Sequence, residues 1–478
     1  MSNKIIKKID ESQVGADVIP LRSEAGSRVL DVTIDTKSPS RLAELLWAQL
    51  GEVAVDIVSA VVYRYTGSFW EQMSDAMLRR VLAATCKENG VAYGRPMLAV
   101  AVDTMKDMIP LIENPRDNLI GFANGVYDLA TRQFRSHSPS DGLRSHNGIT
   151  YEEPTPNETL EACAPNFISW LNHAVGRDAA KADRILAALF MMLANRYDWQ
   201  LFLEVTGEGG SGKSIMAYLS ELLVGKQYIG SSSMRHLESE FGLENLWDKR
   251  LILLPDQAKY AGDGATLKAI SGGDLVSINR KGKPMFSAKV RAVVLATNNV
   301  PMVMTERNGG IARRRVIFSF NNVVAEADQD SKLDEKIATE LPVIIRHLLE
   351  RFVDHDEAKK LLREQRNSAD AIVVKRDSDP LFDLCSMVEF IAVPNGLRMG
   401  GKTDIKREPR KFFYHLYLTY MEYHGMDRPL SVNAVSRALK QMAKELGREY
   451  QTRSSNGTIT NIVITDEVES FMPRTVVD

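Results

Sequence analysis

The chain has 478 residues, of which 44% are hydrophobic and 26% charged, and its formal net charge is −2. That length exceeds one ordinary hydrophobic core and predicts two to four domains, while the mixture excludes a disordered or fibrous chain. A near-neutral balance also excludes a uniformly basic nucleic-acid binder, so any such surface must be local.

Cys86, Cys163 and Cys385 stand far apart with no CxxC or His-rich companion. This argues against a zinc site or disulfide framework and fits a reducing compartment. The first residues lack the apolar run of a signal peptide. The apolar stretch 45–62 is broken by Gly51, Glu52 and Asp56, so it reads as a buried helix and not a membrane span. These features predict a cytoplasmic protein, in a bacterial host cell, with no membrane partner.

Residues 1–36 mix charges with short β-branched runs and read as a tail holding one strand at 29–34. From 38 to 108 the apolar spacing is mostly helical, interrupted by two short strands around Thr66-Gly67. A β-rich piece follows at 118–137, where Asn124-Gly125 is a turn signal between apolar runs. Together 37–156 reads as an N-terminal α/β domain. Residues 157–198 carry Phe167, Trp170, Leu171, Ile185, Leu189 and Met192 at helical spacing, either as a collar that packs subunits or as simple core helices.

The apolar run 201–205 then leads into Gly207-Glu208-Gly209-Gly210-Ser211-Gly212-Lys213-Ser214 and an apolar helix. A strand, a glycine-rich loop and a helix N-terminus turn backbone N–H groups toward one point, which is a phosphate cradle. In this GxxxxGK[ST] pattern Gly207, Gly209, Gly210, Ser211 and Gly212 shape the loop, Lys213 reaches the β- and γ-phosphates and Ser214 ligates Mg²⁺. Strands at 250–254, 288–296 and 315–320 alternate with helices, predicting a parallel α/β sheet over 199–378. Helices at 332–352 and 356–365 would form a lid.

A nucleotide-hydrolysing site needs an acidic strand end. Leu251-Ile252-Leu253-Leu254-Pro255-Asp256-Gln257 supplies one acid, not the usual pair, and Asp256 would either help hold Mg²⁺ or polarise water. Strands at 275–279 and from 285 would be joined through Arg280-Lys281-Gly282-Lys283, a basic hairpin tip that could grip phosphates of single-stranded nucleic acid. Asn298 or Asn299, at the next strand end, could sense a γ-phosphate. In Arg313-Arg314-Arg315 one guanidinium could reach across a subunit boundary as an arginine finger.

After Pro380 comes one helix, a boundary loop at 395–403, helices at 409–424 and 431–446, and a hairpin at 450–465 with a Ser454-Ser455-Asn456-Gly457 turn. Helix, helix and hairpin suggest a winged helix in 379–478. Residues 401–460 hold 11 Lys/Arg against 6 Asp/Glu, and Lys440, Lys444 and Arg448 are spaced to line one helix face. Double-stranded DNA, or the rest of a ring, is the expected partner.

The order of these motifs resembles the superfamily 3 helicases of the AAA+ class, and more closely the helicase half of satellite-phage and prophage primase-helicases, a group that includes the poxvirus primase-helicases. The resemblance is densest over 199–375 and extends to Phe122-x-Asn124-Gly125-Val126-x-Asp128-Leu129. It implies an AAA+ P-loop core (199–378) behind an N-terminal α/β domain (37–156) and a helical collar (157–198), with a C-terminal winged helix. It further implies a homo-oligomeric ring, usually hexameric, with ATP and Mg²⁺ between subunits and single-stranded DNA in the pore. On matching positions it makes Lys213 and Ser214 nucleotide and metal residues, Asp256 the acidic motif and Asn298 the sensor. Lys281 and Lys283 become pore residues, Arg313 or Arg314 the finger, and the winged helix an origin-DNA reader. No room for a primase precedes the first folded region, so a separate primase is expected. The competing expectations are a DNA-binding ring ATPase acting as loader, regulator or anti-phage defence component, and a P-loop kinase of a small metabolite.

Overall fold

The computed structural model describes residues 38–257, 264–302, 310–400, 407–427 and 429–472. The anticipated strand at 29–34 lies outside them. The chain divides into two compact units, Met1–His146 and Asn147–Asp478.

In the first unit, helix α1 (Pro39–Leu50) leads to a three-stranded antiparallel sheet of β1 (Val53–Asp56), β2 (Val61–Tyr65) and β3 (Trp70–Met73). The expectation of one buried helix through 45–62 is therefore corrected. Gly51, at φ 76°, ends the helix where a side chain would be strained, and the β-branched Val53 and Val55 then suit a strand. Helices α2 (Asp75–Glu88) and α3 (Arg95–Met108) close a core of Leu42, Leu46, Val62, Leu78, Leu82 and Met105. A second sheet holds β4 (Leu119–Gly121), β5 (Val126–Asp128) and β6 (Gln133–Arg135). Its Asn124-Gly125 corner sits so tightly that a Cβ on Gly125 would meet the Arg135 carbonyl oxygen at 2.4 Å.

The second unit begins with α4 (Leu160–Cys163), α5 (Pro165–Val175) and α6 (Ala179–Leu193). Its centre is a parallel five-stranded sheet of β7 (Phe202–Thr206), β8 (Ile229–Ser231), β9 (Leu251–Pro255), β12 (Val293–Asn298) and β13 (Arg315–Ser319), in the spatial order β13-β7-β12-β9-β8. Between these strands lie α7 (Lys213–Val224), α8 (Met234–Leu237), α9 (Ala265–Gly272) and the antiparallel hairpin β10 (Leu275–Arg280) and β11 (Lys283–Lys289). The strand expected at 288–296 is thus two elements. One belongs to the hairpin and one to the sheet, separated at Val290–Ala292, where the chain turns to bury Val290 and Ala292 in the core. The short edge strand β8 has no apolar run long enough to announce it.

Helices α10 (Leu333–Arg351) and α11 (His355–Arg366) occupy the region read as a lid. Both are fastened down: Gln365 Nε2 donates to the Ile317 carbonyl of β13 (2.7 Å), and Glu340 of α10 accepts from the Asn166 and Phe167 backbone N–H groups (3.0 and 2.8 Å), capping α5. Then follow α12 (Ala369–Ser378), α13 (Pro380–Met387), β14 (Glu389–Phe390), α14 (Phe413–Tyr423), α15 (Val432–Glu445), β15 (Thr452–Ser454), β16 (Thr458–Thr460), β17 (Ile462–Val463) and α16 (Asp466–Glu469). β15 and β16 form a hairpin, and β17 leaves it to pair with β14. One core of Leu381, Leu384, Phe413, Tyr417, Val435, Leu439 and Ile462 joins α13, α14, α15 and these strands.

Candidate nucleotide and nucleic-acid site

The glycine-rich loop runs from the end of β7 to the start of α7, with Gly207, Gly210 and Gly212 at φ 152°, 80° and 93°. A Cβ on Gly207 would stand 2.2 Å from the Phe320 carbonyl oxygen, and one on Gly212 2.8 Å from Trp170 Nε1. Side chains are excluded at both positions, so the backbone N–H groups are left to line the concavity. Lys213 Nζ donates to the Gly207 and Glu208 carbonyls, both at 2.7 Å, and folds back over the loop. Burial holds its ammonium below the usual lysine value, with Asp256 opposing the shift. Ser211 is fully buried and its Oγ has no partner among the described residues, whereas Ser214 is exposed at the first turn of α7. A phosphate chain fits this cradle: it supplies acceptors for the loop amides and a counter-charge for Lys213.

β12 lies between β7 and β9, with Asn298 level with Thr206 and Thr297 level with Pro255. Parallel pairing therefore brings the loop, Asp256 and the Asn298-Asn299 pair to the same carboxyl edge of the sheet, where ligands of open α/β sheets bind. Asp256 is exposed, at φ 45°, with its N–H donated to the Thr297 carbonyl at 2.9 Å.

Asn298 is buried, and its amide is engaged at both ends. Its Oδ1 accepts from the Gln257 N–H at 2.6 Å, and its Nδ2 donates to Glu204 at 3.1 Å. Glu204, fully buried on β7, also accepts from Arg315 Nε at 2.6 Å and from the Met302 N–H at 2.7 Å. Asn299 is the exposed amide of the pair. Sequence reasoning missed Glu204 altogether; a single acid inside the apolar run before the loop was the available signal.

The arginine triplet separates into three environments. Arg313 is exposed, and its side chain makes no hydrogen bond or ion pair with a described residue. Arg314 is buried, with Nη1 on the Gly310 carbonyl at 2.7 Å. Arg315 is buried in the Glu204 ion pair.

Lys281 and Gly282 form the two-residue tip of the β10–β11 hairpin, and Lys281 and Lys283 are exposed. Ile278 and Phe286 anchor the hairpin inward, Arg280 lies 4.6 Å over the Phe286 ring and Trp247 meets that ring edge-on. Leu275 and Met285 are exposed on its outer face.

In the C-terminal region, Lys440 and Lys444 are exposed on α15. The expectation that Arg448 shares their helix face is corrected: α15 ends at Glu445 and Gly447 reverses the chain at φ 69°. The Arg448 guanidinium instead donates to the Cys385, Ser386 and Val388 carbonyls at 3.0, 3.3 and 2.6 Å, satisfying the C-terminal end of α13.

Residues 43–176 match the family model described as D5 N terminal like, and residues 205–315 match a family of unknown function, DUF5906. A helicase-named protein of Acanthamoeba polyphaga mimivirus is 24% identical over 227 residues, covering 46% of this chain and 23% of the viral protein. A helicase-named protein of Invertebrate iridescent virus 6 is 26% identical over 286 residues, covering 53% of this chain and 27% of its own. This chain is a relative of the phage-type primase-helicases. It spans about a quarter of the length of those curated relatives. Among solved structures, the phage P4 origin-binding domain is 35% identical, with 20% of this primase-helicase relative and all of that domain covered at a TM-score of 0.20. The NrS-1 C-terminal region in its apo form is 14% identical, covering 90% of this chain and all of that one at a TM-score of 0.47. Among the described residues no helix is long and apolar enough to cross a membrane.

Proposed function

We propose that the chain is an ATP- and Mg²⁺-dependent DNA helicase subunit that works as a ring on single-stranded DNA in the replication of a phage, prophage or similar element. The observation that carries the reading is the shared sheet edge. The phosphate loop, Asp256 and Asn299 converge there, while the same core exposes a basic hairpin at Lys281 and Lys283 and an Arg313 whose side chain has no partner among the described residues. Lys213 and the loop amides would hold the phosphates, and Ser214 and Asp256 the metal. Mg²⁺, when bound, neutralises phosphate charge.

Roles then divide by burial. Arg313 is the finger that completes the neighbouring subunit's site, Arg314 and Arg315 build the strand end behind it, and Asn298 positions Asp256-Gln257 while Asn299 faces the site. An exposed guanidinium can desolvate onto a neighbour's phosphates, whereas Arg315 would have to abandon a buried carboxylate. The unit of α13, α14 and α15 with the β15–β16 hairpin is a winged helix by its order of elements, and Lys440 and Lys444 would meet DNA phosphates. The core is of the AAA+ type, and the ring is a homo-oligomer, usually hexameric in this family.

Subunit mixing tests the reading. Lys213→Ala and Arg313→Ala chains should each lose ATP hydrolysis by roughly a thousandfold. An equal mixture restores intact sites wherever an Arg313→Ala subunit, which keeps Lys213, meets a Lys213→Ala neighbour, so about a quarter of wild-type turnover should return. A mixture as inactive as its parents refutes the composite site.

A further inference from the structure

Helix α5 lies outside the stretch that carries the nucleotide motifs, yet it touches the phosphate loop directly. Trp170, buried on α5, donates its indole N–H to the Gly212 carbonyl at 3.1 Å. The same indole fills the space that a side chain at residue 212 would need. Its ring is wedged between Phe167 and Phe320, at 5.7 and 6.3 Å between centroids. One turn further along α5, His173 Nε2 lies 3.0 Å from the Asn322 carbonyl oxygen, and Asn322 Nδ2 donates back to the His173 carbonyl at 2.7 Å. The strand of chain so clasped continues to Val324, whose N–H donates to the Gly210 carbonyl at 3.1 Å. Thus α5 fixes the loop from two sides: at Gly212 through the indole, and at Gly210 through residues 320–324.

We infer that Trp170 is a positioning residue for nucleotide, setting the path of the phosphate loop through the Gly212 carbonyl. The physical reason is orientation. The peptide unit that carries the Gly212 carbonyl also carries the Lys213 N–H at the mouth of α7, so a donor that holds that oxygen aims that N–H into the cradle. Without the indole N–H that oxygen keeps only the longer bond from the Met216 N–H, at 3.3 Å, so the peptide is held less firmly and more of the loop's ordering falls on each binding event. The inference rests on the reading of this loop as a nucleotide site and deepens it.

Trp170→Phe keeps an aromatic ring against Phe167 and Phe320 and removes the donor. With Mg²⁺ and a fluorescent ADP analogue as probe, the Kd should rise about tenfold. In steady state the loss should fall on KM for ATP, with kcat within about twofold. Single-stranded DNA binding measured without nucleotide should stay near wild type, and the thermal midpoint should fall by no more than about 5 °C. An unchanged nucleotide Kd overturns the inference, as does a loss of nucleotide, DNA and thermal stability together, which would make Trp170 a packing residue only. A second measurement uses the unsubstituted sequence carrying 5-fluorotryptophan. The Trp170 resonance, identified against chains with the other four tryptophans replaced by Phe, should shift on adding Mg²⁺ and ADP, and a resonance that stays in place overturns the inference. If the wild-type chain binds no ADP analogue at all, the nucleotide reading itself has failed, and the two failures are told apart.

Discussion

Replacing Arg315 by methionine isolates the buried pair that organises the sheet edge. Glu204 is fully buried and receives Arg315 Nε at 2.6 Å, the Met302 N–H at 2.7 Å and Asn298 Nδ2 at 3.1 Å. Only the first of these donors carries charge, so Arg315→Met leaves a carboxylate in the core with two neutral hydrogen bonds. Removing one partner of such a pair costs about 3–5 kcal/mol. With a urea slope of about 3 kcal/mol per molar or somewhat more for a unit of this size, the unfolding midpoint should fall by roughly 1 M. The double variant Glu204→Gln, Arg315→Met removes the stranded charge and should regain most of that loss. Arg313→Ala, made at an exposed position, should move the midpoint by less than about 0.2 M. Tryptophan fluorescence against urea reads all three. A single Arg315 variant within about 0.3 M of wild type, or a double variant no better than the single, would refute the assignment of Arg315 to the interior.

At the hairpin tip, Lys281→Ala with Lys283→Ala should abolish strand displacement while basal ATP hydrolysis stays within about twofold, and retained unwinding sinks the pore assignment. Lys440→Ala and Lys444→Ala should each lower the slope of log binding constant against log salt on duplex DNA by about 1. Arg448→Met should leave that slope alone and destabilise the C-terminal region by about 1–3 kcal/mol, because three carbonyls at the end of α13 lose their donor. For Lys213 the sign follows from burial: its folded pKa lies below the usual 10.5, so the unfolded chain binds the extra proton between the two values and the group's unfavourable contribution is relieved as pH rises through that window. Phosphates favour the ammonium, so ADP affinity should fall as pH rises toward the folded pKa, with proton uptake visible by calorimetry in buffers of different ionisation heat.

Much of the core could be read from residue order because the informative signals there are local. Strand, glycine loop and helix are contiguous at 202–224, and the hairpin tip is fixed by Gly282 at φ 72° between two alternating runs. Ser431 capping α15, with its Oγ accepting from the Ala434 N–H, follows the same logic. What escaped the sequence depends on partners distant along the chain. Arg315 finds Glu204 across 111 residues and Arg448 finds Cys385 across 63, and no spacing rule announces either pairing. The three adjacent arginines look alike in sequence, yet strand pleating and the turn before β13 send them to solvent, interior and ion pair. Helix α14 begins at Phe413, later than its aromatic periodicity implied, because the Phe413 N–H is taken by the Arg398 carbonyl and the preceding residues turn instead.

The same reasoning explains why one acid, not two, ends β9. The residue after Asp256 sits in a buried slot with an acceptor on one side and a donor on the other. Gln257 Nε2 donates to the Pro255 carbonyl at 2.6 Å, and its Oε1 accepts from the Met234 N–H at 2.7 Å. An amide answers both groups. An ionised carboxylate could accept from Met234 but would press a charge against the Pro255 oxygen, in a place where an unmatched buried polar group costs about 1–3 kcal/mol. Gln257 therefore belongs to the framework that aims its neighbour: it fastens α8 to β9, and its own N–H is held by Asn298. That framework holds Asp256 in a left-handed conformation, at φ 45°, which costs backbone energy at a non-glycine residue, and leaves it exposed at the carboxyl edge of the sheet, where its charge acts on Lys213. The departure from an acidic pair and the strain at Asp256 are two sides of one arrangement, in which the interior takes the amide and the surface keeps the charge.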